Sequence, residues 1–206
     1  MAAFLDSGLS SNKTALVLIE FQNEFTTEGG KLHGGVRPVM EATNMLNNTM
    51  ELCAFARSKG IKIFHVPITF SDDYREVSST PFGILKGVKD GKCFPASGWG
   101  GEFCAGMQPA EGEFVVQGKR GLCGFSTTNL DFMLRQNDID TIALGGFLTN
   151  CCVESTMRAA YEKGYNVITL TDCTAATSME GQEAAIKHTF PMFSVPMTSV
   201  ELMTKL

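Results

Sequence analysis

The sequence has no run of lysine and arginine residues that could follow a phosphate backbone. Lysine and arginine number 17 against 22 aspartates and glutamates, which gives a formal net charge of −5 at pH 7. Nucleic-acid binding depends on clustered positive charge that neutralises phosphates. We therefore expect no nucleic-acid partner, and the absence of a G-x-x-x-x-G-K-[ST] loop argues against nucleotide binding.

Long apolar runs are missing too, although hydrophobic residues make up 44% of the chain. No stretch reaches the roughly 20 apolar residues of a membrane span. The opening MAAFLDSGLSSNK has no basic segment followed by an apolar one, as a signal peptide would. We expect a cytoplasmic protein without a membrane partner, folded as one domain over residues 1–206 with residues 1–12 as a tail.

Cysteine pairs of the C-x-x-C kind are absent, and the seven cysteines are an odd number. This pattern argues against a disulfide framework and against a zinc ribbon. We expect most of the seven to be reduced thiols packed in the interior.

Short apolar runs alternate with helical patterns along the chain. The run TALVLI at residues 14–19 is typical of a strand buried on both faces of a parallel sheet. Further strands are predicted at residues 61–66, 113–116, 140–144, 166–170 and 193–197, and helices at 38–59, 127–136, 151–163 and 179–188. We predict a three-layer α/β/α fold with a mostly parallel, Rossmann-like sheet of about six strands.

Residues 71–112 are the least regular part of the chain. They contain three of the seven prolines and the single tryptophan, Trp99. A stretch of this length inside one domain is often a lid or an oligomer contact, and an ordinary surface excursion explains it equally well.

Three residues with chemically useful side chains follow predicted strands: Glu20, Lys119 and Cys152. Ligands collect beyond the carboxyl ends of parallel strands. A thiol at a helix N-terminus favours its thiolate form, and a carboxylate nearby could accept the thiol proton. A lysine beside them would keep the carboxylate ionised. The spacing alone does not favour this catalytic interpretation. Glu20 and Lys119 could equally be solvated residues at strand ends, and Cys152 could be packed in the core beside Cys151.

Three sequence blocks together resemble the isochorismatase-like cysteine hydrolases, which include nicotinamidases, N-carbamoylsarcosine amidohydrolases and ureidoacrylate hydrolases. The blocks are VLIEFQNEF, GKRGLCGFSTTNLDFML and GFLTNCCVEST, in that order, and the likeness runs from about residue 14 to residue 177. The resemblance implies a catalytic set of Glu20, Lys119 and Cys152. It also implies a cis peptide at Phe147–Leu148 and an oxyanion hole built from the backbone N–H groups of Leu148 and Cys152.

The sequence departs from the family pattern at two positions. Glu20 stands where the family usually has aspartate, which adds one methylene to the acid. Cys123 stands where many members carry serine, and we interpret it as a packing residue. The motif selects Cys152 rather than Cys151 as nucleophile, and successive residues on a helix point in different directions.

Aromatic and amide side chains near these blocks are the candidates for substrate binding. By the resemblance, Phe25 occupies the place where the family stacks an aromatic wall on its substrate. The full set of candidate lining residues is Gln22, Phe25, Phe70, Trp99 and Phe125. Aromatic residues at such positions are often plain core, and that alternative stays open.

A metal site is not predicted. Nicotinamidases carry an Asp-x-His motif after the second strand, whereas the matching segment here, FHVPITFSDDYRE, contains only His65. A lone histidine in an apolar strand is more often a core residue than a ligand. We therefore expect neither metal nor cofactor, and Asp72 and Asp73 are interpreted as solvated loop residues.

The prediction from sequence is a metal-independent cysteine hydrolase that cleaves a C–N bond of a small amide, carbamoyl or ureido compound through a thioester. Two alternatives remain: a non-catalytic binding or scaffold protein, and a vinyl-ether hydrolase of the isochorismate type. The resemblance further implies a homo-oligomer, a dimer or a tetramer, in which residues 71–112 could close a neighbour's pocket.

Overall fold

The computed structural model describes residues 3–6 and 8–206, and for residues 3 and 6 the backbone alone. Residues 1, 2 and 7 of the predicted N-terminal tail lie outside the described residues, and residues 3–6 form a short helix. Six strands form the sheet: β1 Thr14–Ile19, β2 Lys62–Val66, β3 Phe114–Val115, β4 Thr141–Phe147, β5 Asn166–Ala175 and β6 Val195–Met197.

The helices lie between and after these strands. In chain order they are α1 Ala3–Asp6, α2 Asn23–Thr26, α3 His33–Thr43, α4 Met45–Ser58, α5 Gly83–Asp90, α6 Leu130–Gln136, α7 Glu154–Glu162, α8 Met179–Ala184, α9 Phe190–Phe193 and α10 Ser199–Lys205. Within the described ranges, no helix has both the length and the apolar character needed to cross a membrane.

The sheet is parallel throughout, with the strand order β3-β2-β1-β4-β5-β6. Every residue of β1 is buried. Leu16 and Leu18 face one hydrophobic core, and Ala15, Val17 and Ile19 face a second core on the other side. Because both faces of the strand are covered by helices, it is apolar at every position except its first, and the predicted three-layer α/β/α class is confirmed.

The prediction of one helix over residues 38–59 was wrong. Two helices, α3 and α4, meet at Asn44, which has left-handed backbone angles (φ 53°, ψ 31°). Asparagine tolerates this conformation better than most residues, so it ends α3 and redirects the chain. Pro38 lies inside α3, not in the first turn of a helix.

Strand β5 is twice as long as predicted, because it continues past Leu170 to Ala175. Its register with β4 shifts between Leu144 and Gly146, after which Gly146 pairs with Thr174 and Phe147 with Ala175. From Leu144 to Gly146 strand β4 advances two residues while β5 advances five, so this irregularity takes up three extra residues without ending the strand. The polar residues Thr171 and Asp172 occupy this irregular stretch, where the apolar pattern stops.

Residues 71–112 contain more regular structure than their sequence suggested. They form helix α5 and a short 3₁₀ turn at Trp99–Gly101. Val88 on α5 is buried, whereas Phe82 just before the helix is exposed. The segment therefore packs one face of a helix onto its own chain.

Candidate active site

Glu20 follows the last residue of β1, at the carboxyl edge of the sheet. Its backbone lies in the left-handed region (φ 60°), and its N–H donates to the carbonyl oxygen of Val66 at 3.1 Å. The side chain is 2% exposed. A non-glycine residue in this conformation carries a backbone cost that is usually found at functional positions.

Lys119 reaches the same place from the segment that follows β3. It is fully buried, and its Nζ donates hydrogen bonds to Oε1 of Glu20 and, at 2.7 Å, to the carbonyl oxygen of Gly121. Burial disfavours the charged ammonium, but the negative charge of Glu20 and the hydrogen bond to its carboxylate outweigh this effect. The pKa of Lys119 is therefore raised, and the ammonium stays charged at neutral pH.

A tight turn after β4 carries Cys152 to the same edge. Gly146 has φ 129°, and a β-carbon there would overlap the backbone of Ile19, so only glycine fits between β4 and β1. The Phe147–Leu148 peptide bond is cis. The carbonyl oxygen of Leu148 then accepts the N–H groups of Cys151 at 3.0 Å and Val153 at 3.1 Å.

The predicted helix over residues 151–163 therefore begins later than expected. Residues Thr149–Val153 form an irregular turn in which Asn150 departs from helical backbone angles (φ −92°, ψ 20°), and the regular helix α7 starts at Glu154. Cys152 lies in this turn, where the local hydrogen-bond pattern depends on the β4 exit and not on helix propensity.

The environment of Cys152 disfavours a resting thiolate, contrary to what a helix N-terminus suggests. The neighbouring Cys151 thiol, burial of the sulfur and the negative charge of Glu20 together raise the pKa of Cys152 well above its ordinary value. Lys119 acts in the opposite direction and does not compensate. The hydrogen bond with Cys152 lowers the pKa of Cys151, which is only half-buried.

Two buried side chains away from the cysteine hold this turn in place. Gln182 accepts the hydroxyl of Thr149 at 2.6 Å and the N–H of Ala176 at 3.0 Å, and it donates to the carbonyl oxygen of Thr174 at 3.1 Å. Thr156 donates to the carbonyl oxygen of Cys152 at 2.7 Å. Sequence reasoning missed both residues, because a single polar residue within a helical pattern gives no local signal of its partner.

A cavity of about 370 Å³ opens above this edge of the sheet, and Glu20 and Cys152 line it together. Phe25 stacks on Phe147 with ring centroids 4.9 Å apart and forms part of the wall. Helix α5 contributes Val88, so residues 71–112 line the cavity of their own chain.

The Isochorismatase domain model matches residues 14–201. The chain is 30% identical over 198 residues to the uncharacterized isochorismatase family protein YecD of Escherichia coli O157:H7, covering 96% of this chain and 98% of that one. This chain belongs to the isochorismatase family. The prediction of a single domain over residues 1–206 stays a prediction.

Other isochorismatase-family proteins extend the comparison. The ureidoacrylate amidohydrolase RutB of Pantoea ananatis is 30% identical over 191 residues, covering 87% of this chain and 76% of its own. A crystal structure of a cysteine hydrolase from Pseudomonas syringae pv. phaseolicola 1448A superimposes with a TM-score of 0.83 at 21% identity, covering 96% of this chain and 94% of that one. The family thus contains hydrolases, amidohydrolases among them.

Of the five residues predicted to bind substrate in this isochorismatase-family chain, Phe25 alone lines the cavity. Gln22 instead joins two loops, because its side chain donates to the carbonyl oxygens of Ile68 at 2.8 Å and Gly101 at 2.7 Å. Gln22 thus ties the turn after β1 to the segments that contain Ile68 and Gly101.

The three remaining aromatic residues do not line the cavity. Phe70 is buried against Tyr74, with ring centroids 5.6 Å apart, and Phe125 stacks on Tyr165 at 5.7 Å. Trp99 is 47% exposed and lies at the protein surface. All three are apolar side chains whose sequence positions do not reveal which face of the fold they join.

The walls of the cavity include residues that sequence reasoning did not select, among them Leu32, Val36, Ile68, Val88 and Phe94. Val88 carried a usable signal, since Ile84, Leu85 and Val88 recur with helical spacing within residues 83–90.

His65 is buried in β2, where it is 1% exposed. Its Nε2 lies 2.8 Å from a carboxylate oxygen of Glu113, which also binds Arg57 at 2.7 Å. Among the described residues, no three histidine, cysteine, aspartate or glutamate side chains are grouped so that they could hold a metal ion.

Proposed function

We propose that this chain is a metal-independent cysteine hydrolase that cleaves the C–N bond of a small amide, carbamoyl or ureido compound. The observation that carries the proposal is the convergence of Glu20, Lys119 and Cys152, remote in sequence, at one edge of the sheet, with Glu20 and Cys152 facing one cavity. The similarity to RutB, named for ureidoacrylate amidohydrolysis, supports attack on a carbonyl.

In the proposed reaction, Cys152 rests as a thiol and Glu20 acts as the general base. As the sulfur attacks the substrate carbonyl, its proton passes to Glu20, and negative charge develops on the carbonyl oxygen. The backbone N–H groups of Leu148 and Cys152 would hold this oxyanion. Lys119 holds the carboxylate of Glu20 in place through its hydrogen bond.

Collapse of the tetrahedral intermediate breaks the C–N bond and forms a thioester with Cys152. Glu20 returns its proton to the leaving ammonia or amine. In the second half, Glu20 removes a proton from water, the resulting hydroxide attacks the thioester, and the acid product leaves as the thiol is restored. Glu20 thus acts once as base and once as acid in each half-reaction.

The test is ammonia release from a panel of primary amides and ureido acids, with the wild type compared with Cys152→Ser and Cys151→Ser. We expect Cys152→Ser to lose at least about 10³-fold in kcat/KM, a typical loss for a nucleophile. Cys151→Ser, one residue away, should retain most activity. If the wild type binds these compounds without hydrolysing any of them, the non-catalytic alternative holds. If it hydrolyses vinyl ethers and no amide, the isochorismate-type alternative holds.

Two accompanying proposals come from the sequence. All seven cysteines are free thiols, which suits a reducing compartment such as the cytoplasm.

The homo-oligomer implied by the resemblance is tested by sedimentation of the purified protein. Since α5 already lines the cavity of its own chain, a monomeric variant is expected to keep a complete pocket.

A further inference from the structure

We propose that the substrate is a neutral amide or urea with an apolar substituent, which lies against the wall formed by Phe25, Leu32, Val36, Ile68, Val88 and Phe94. This inference rests on the proposed function and specifies the substrate that the cavity accepts. It depends on three features of the cavity: its apolar wall, the absence of a free cation among the described residues that line it, and its size.

The wall is apolar almost throughout. Besides Glu20 and Cys152 at its base, the polar side chains that line the cavity are Lys31 and Thr177. A small substrate site normally combines an apolar wall with a few polar groups that fix orientation. Here the polar groups are concentrated at the reacting end, so the rest of the substrate meets hydrocarbon.

In the part of the chain that the structure describes, Lys31 is the one cation that lines the cavity, and it already has partners. The Nζ of Lys31 donates to the carbonyl oxygen of Lys92 and lies 3.7 Å from the buried carboxylate of Glu24. Its side chain is about half-exposed, so a substrate carboxylate would have to compete with these contacts at the rim.

Arg120, which follows Lys119 in the sequence, also has hydrogen-bond partners. Arg120 donates to Glu76 at 3.2 Å, to the hydroxyl of Thr69 at 3.2 Å and to the carbonyl oxygen of Lys119 at 3.0 Å, and it does not line the cavity. An anionic substituent would therefore enter an apolar space that already contains the carboxylate of Glu20. Desolvation and repulsion both oppose this.

The volume sets the size of the substituent. A cavity of about 370 Å³ lies near the lower end of the range of about 300–1,000 Å³ that is typical of small-molecule sites. An amide group with five or six further carbon atoms fits within it. Each added methylene should raise kcat/KM about fourfold until the wall is covered.

The experiment compares hexanamide with glutaramate, in which a carboxylate replaces the end of the alkyl chain. Ammonia release should favour hexanamide by at least about 100-fold in kcat/KM, and the series acetamide, butyramide and hexanamide should rise with chain length. The same pair is titrated calorimetrically against Cys152→Ala, where binding is read without turnover, and hexanamide should bind more tightly.

A matched pair of variants tests the charge argument. Ile84 lines the cavity at its edge and is 43% exposed, so Ile84→Lys should fold and place a cation there. We expect this variant to reduce the preference for hexanamide over glutaramate about 10-fold or more. Phe82→Lys adds the same charge two residues away, at a side chain that is 89% exposed and outside the cavity, and should leave the preference unchanged.

Equal or preferential use of glutaramate by the wild type would overturn the apolar substrate while leaving the hydrolase standing. Tighter binding of hexanamide to Cys152→Ala, with no turnover of any amide by the wild type, would overturn the hydrolase and leave the apolar site standing. Equal binding of the two compounds to Cys152→Ala overturns the apolar substrate whatever the activity.

Discussion

Lys119 donates a hydrogen bond to Glu20 at a place where neither side chain is more than 2% exposed. A buried pair of this kind costs desolvation on both sides, and removing one partner leaves the other charge without compensation. The pair also joins the segment after β3 to the end of β1, so it connects the fold with the proposed chemistry.

Removing the ammonium should therefore destabilise the protein. We expect Lys119→Met to lower the free energy of unfolding by about 3–5 kcal/mol in urea titrations. Lys86→Met is the control, because Lys86 pairs with Asp90 on the surface, where both side chains are 59% exposed and a pair contributes about 0–1 kcal/mol. If the two variants lost a similar free energy of unfolding, the carboxylate of Glu20 would not be left buried and uncompensated by Lys119→Met.

The thiols at the site should differ in reactivity with pH. Because the pKa of Cys152 is raised and that of Cys151 is lowered, Cys151 should react with iodoacetamide first at neutral pH. Labelling of Cys152 should increase only in alkaline solution. Peptide mass spectrometry over a pH series measures both rates in the substrate-free protein.

Glu20→Gln tests the cause of the raised pKa. Since the negative charge of Glu20 raises the pKa of Cys152, its removal should shift the labelling profile of Cys152 to lower pH, although the same variant loses turnover. A profile that stays in place would show that Glu20 does not contribute to the raised pKa of Cys152, and a profile that moves to higher pH would contradict repulsion by Glu20 outright.

The crowding at Gly146 gives a prediction about stability. Gly146→Ala places a β-carbon against the carbonyl of Ile19 and should cost at least about 3 kcal/mol, from backbone strain and overpacking together. Gly164 also has positive φ (85°) but has open space around it, so Gly164→Ala should cost about 1–2 kcal/mol. Equal costs in urea unfolding would mean that backbone strain alone matters.

Gln182 should act as a positioning residue for the turn that carries Cys152. Gln182→Leu leaves the Thr149 hydroxyl and the Ala176 N–H without their acceptor, at a cost of about 1–3 kcal/mol each. We expect kcat to fall more than KM rises, because the nucleophile moves while the cavity wall remains. Glu183→Leu, at the adjacent exposed position, should change neither parameter.

The sequence predicted the sheet well because its strands are short apolar runs with a clear period. The ends of helices and strands were predicted less well. The break between α3 and α4 at the left-handed Asn44 and the bulge that extends β5 both depend on neighbouring elements. The position of Glu20, Lys119 and Cys152 after predicted strands made them candidates, as parallel strands bring their carboxyl ends to one edge, and the family resemblance then selected them.

Local patterning predicted the parallel α/β sheet, and the family resemblance of three sequence blocks selected Glu20, Lys119 and Cys152 from the polar residues at its strand ends. The walls of the cavity, the protonated state of the Cys152 thiol and the role of Gln182 emerged only once the chain was folded. Which apolar side chain faces a cavity, and which charge lies beside a sulfur, are set by contacts between segments far apart in sequence, and no local pattern contains them.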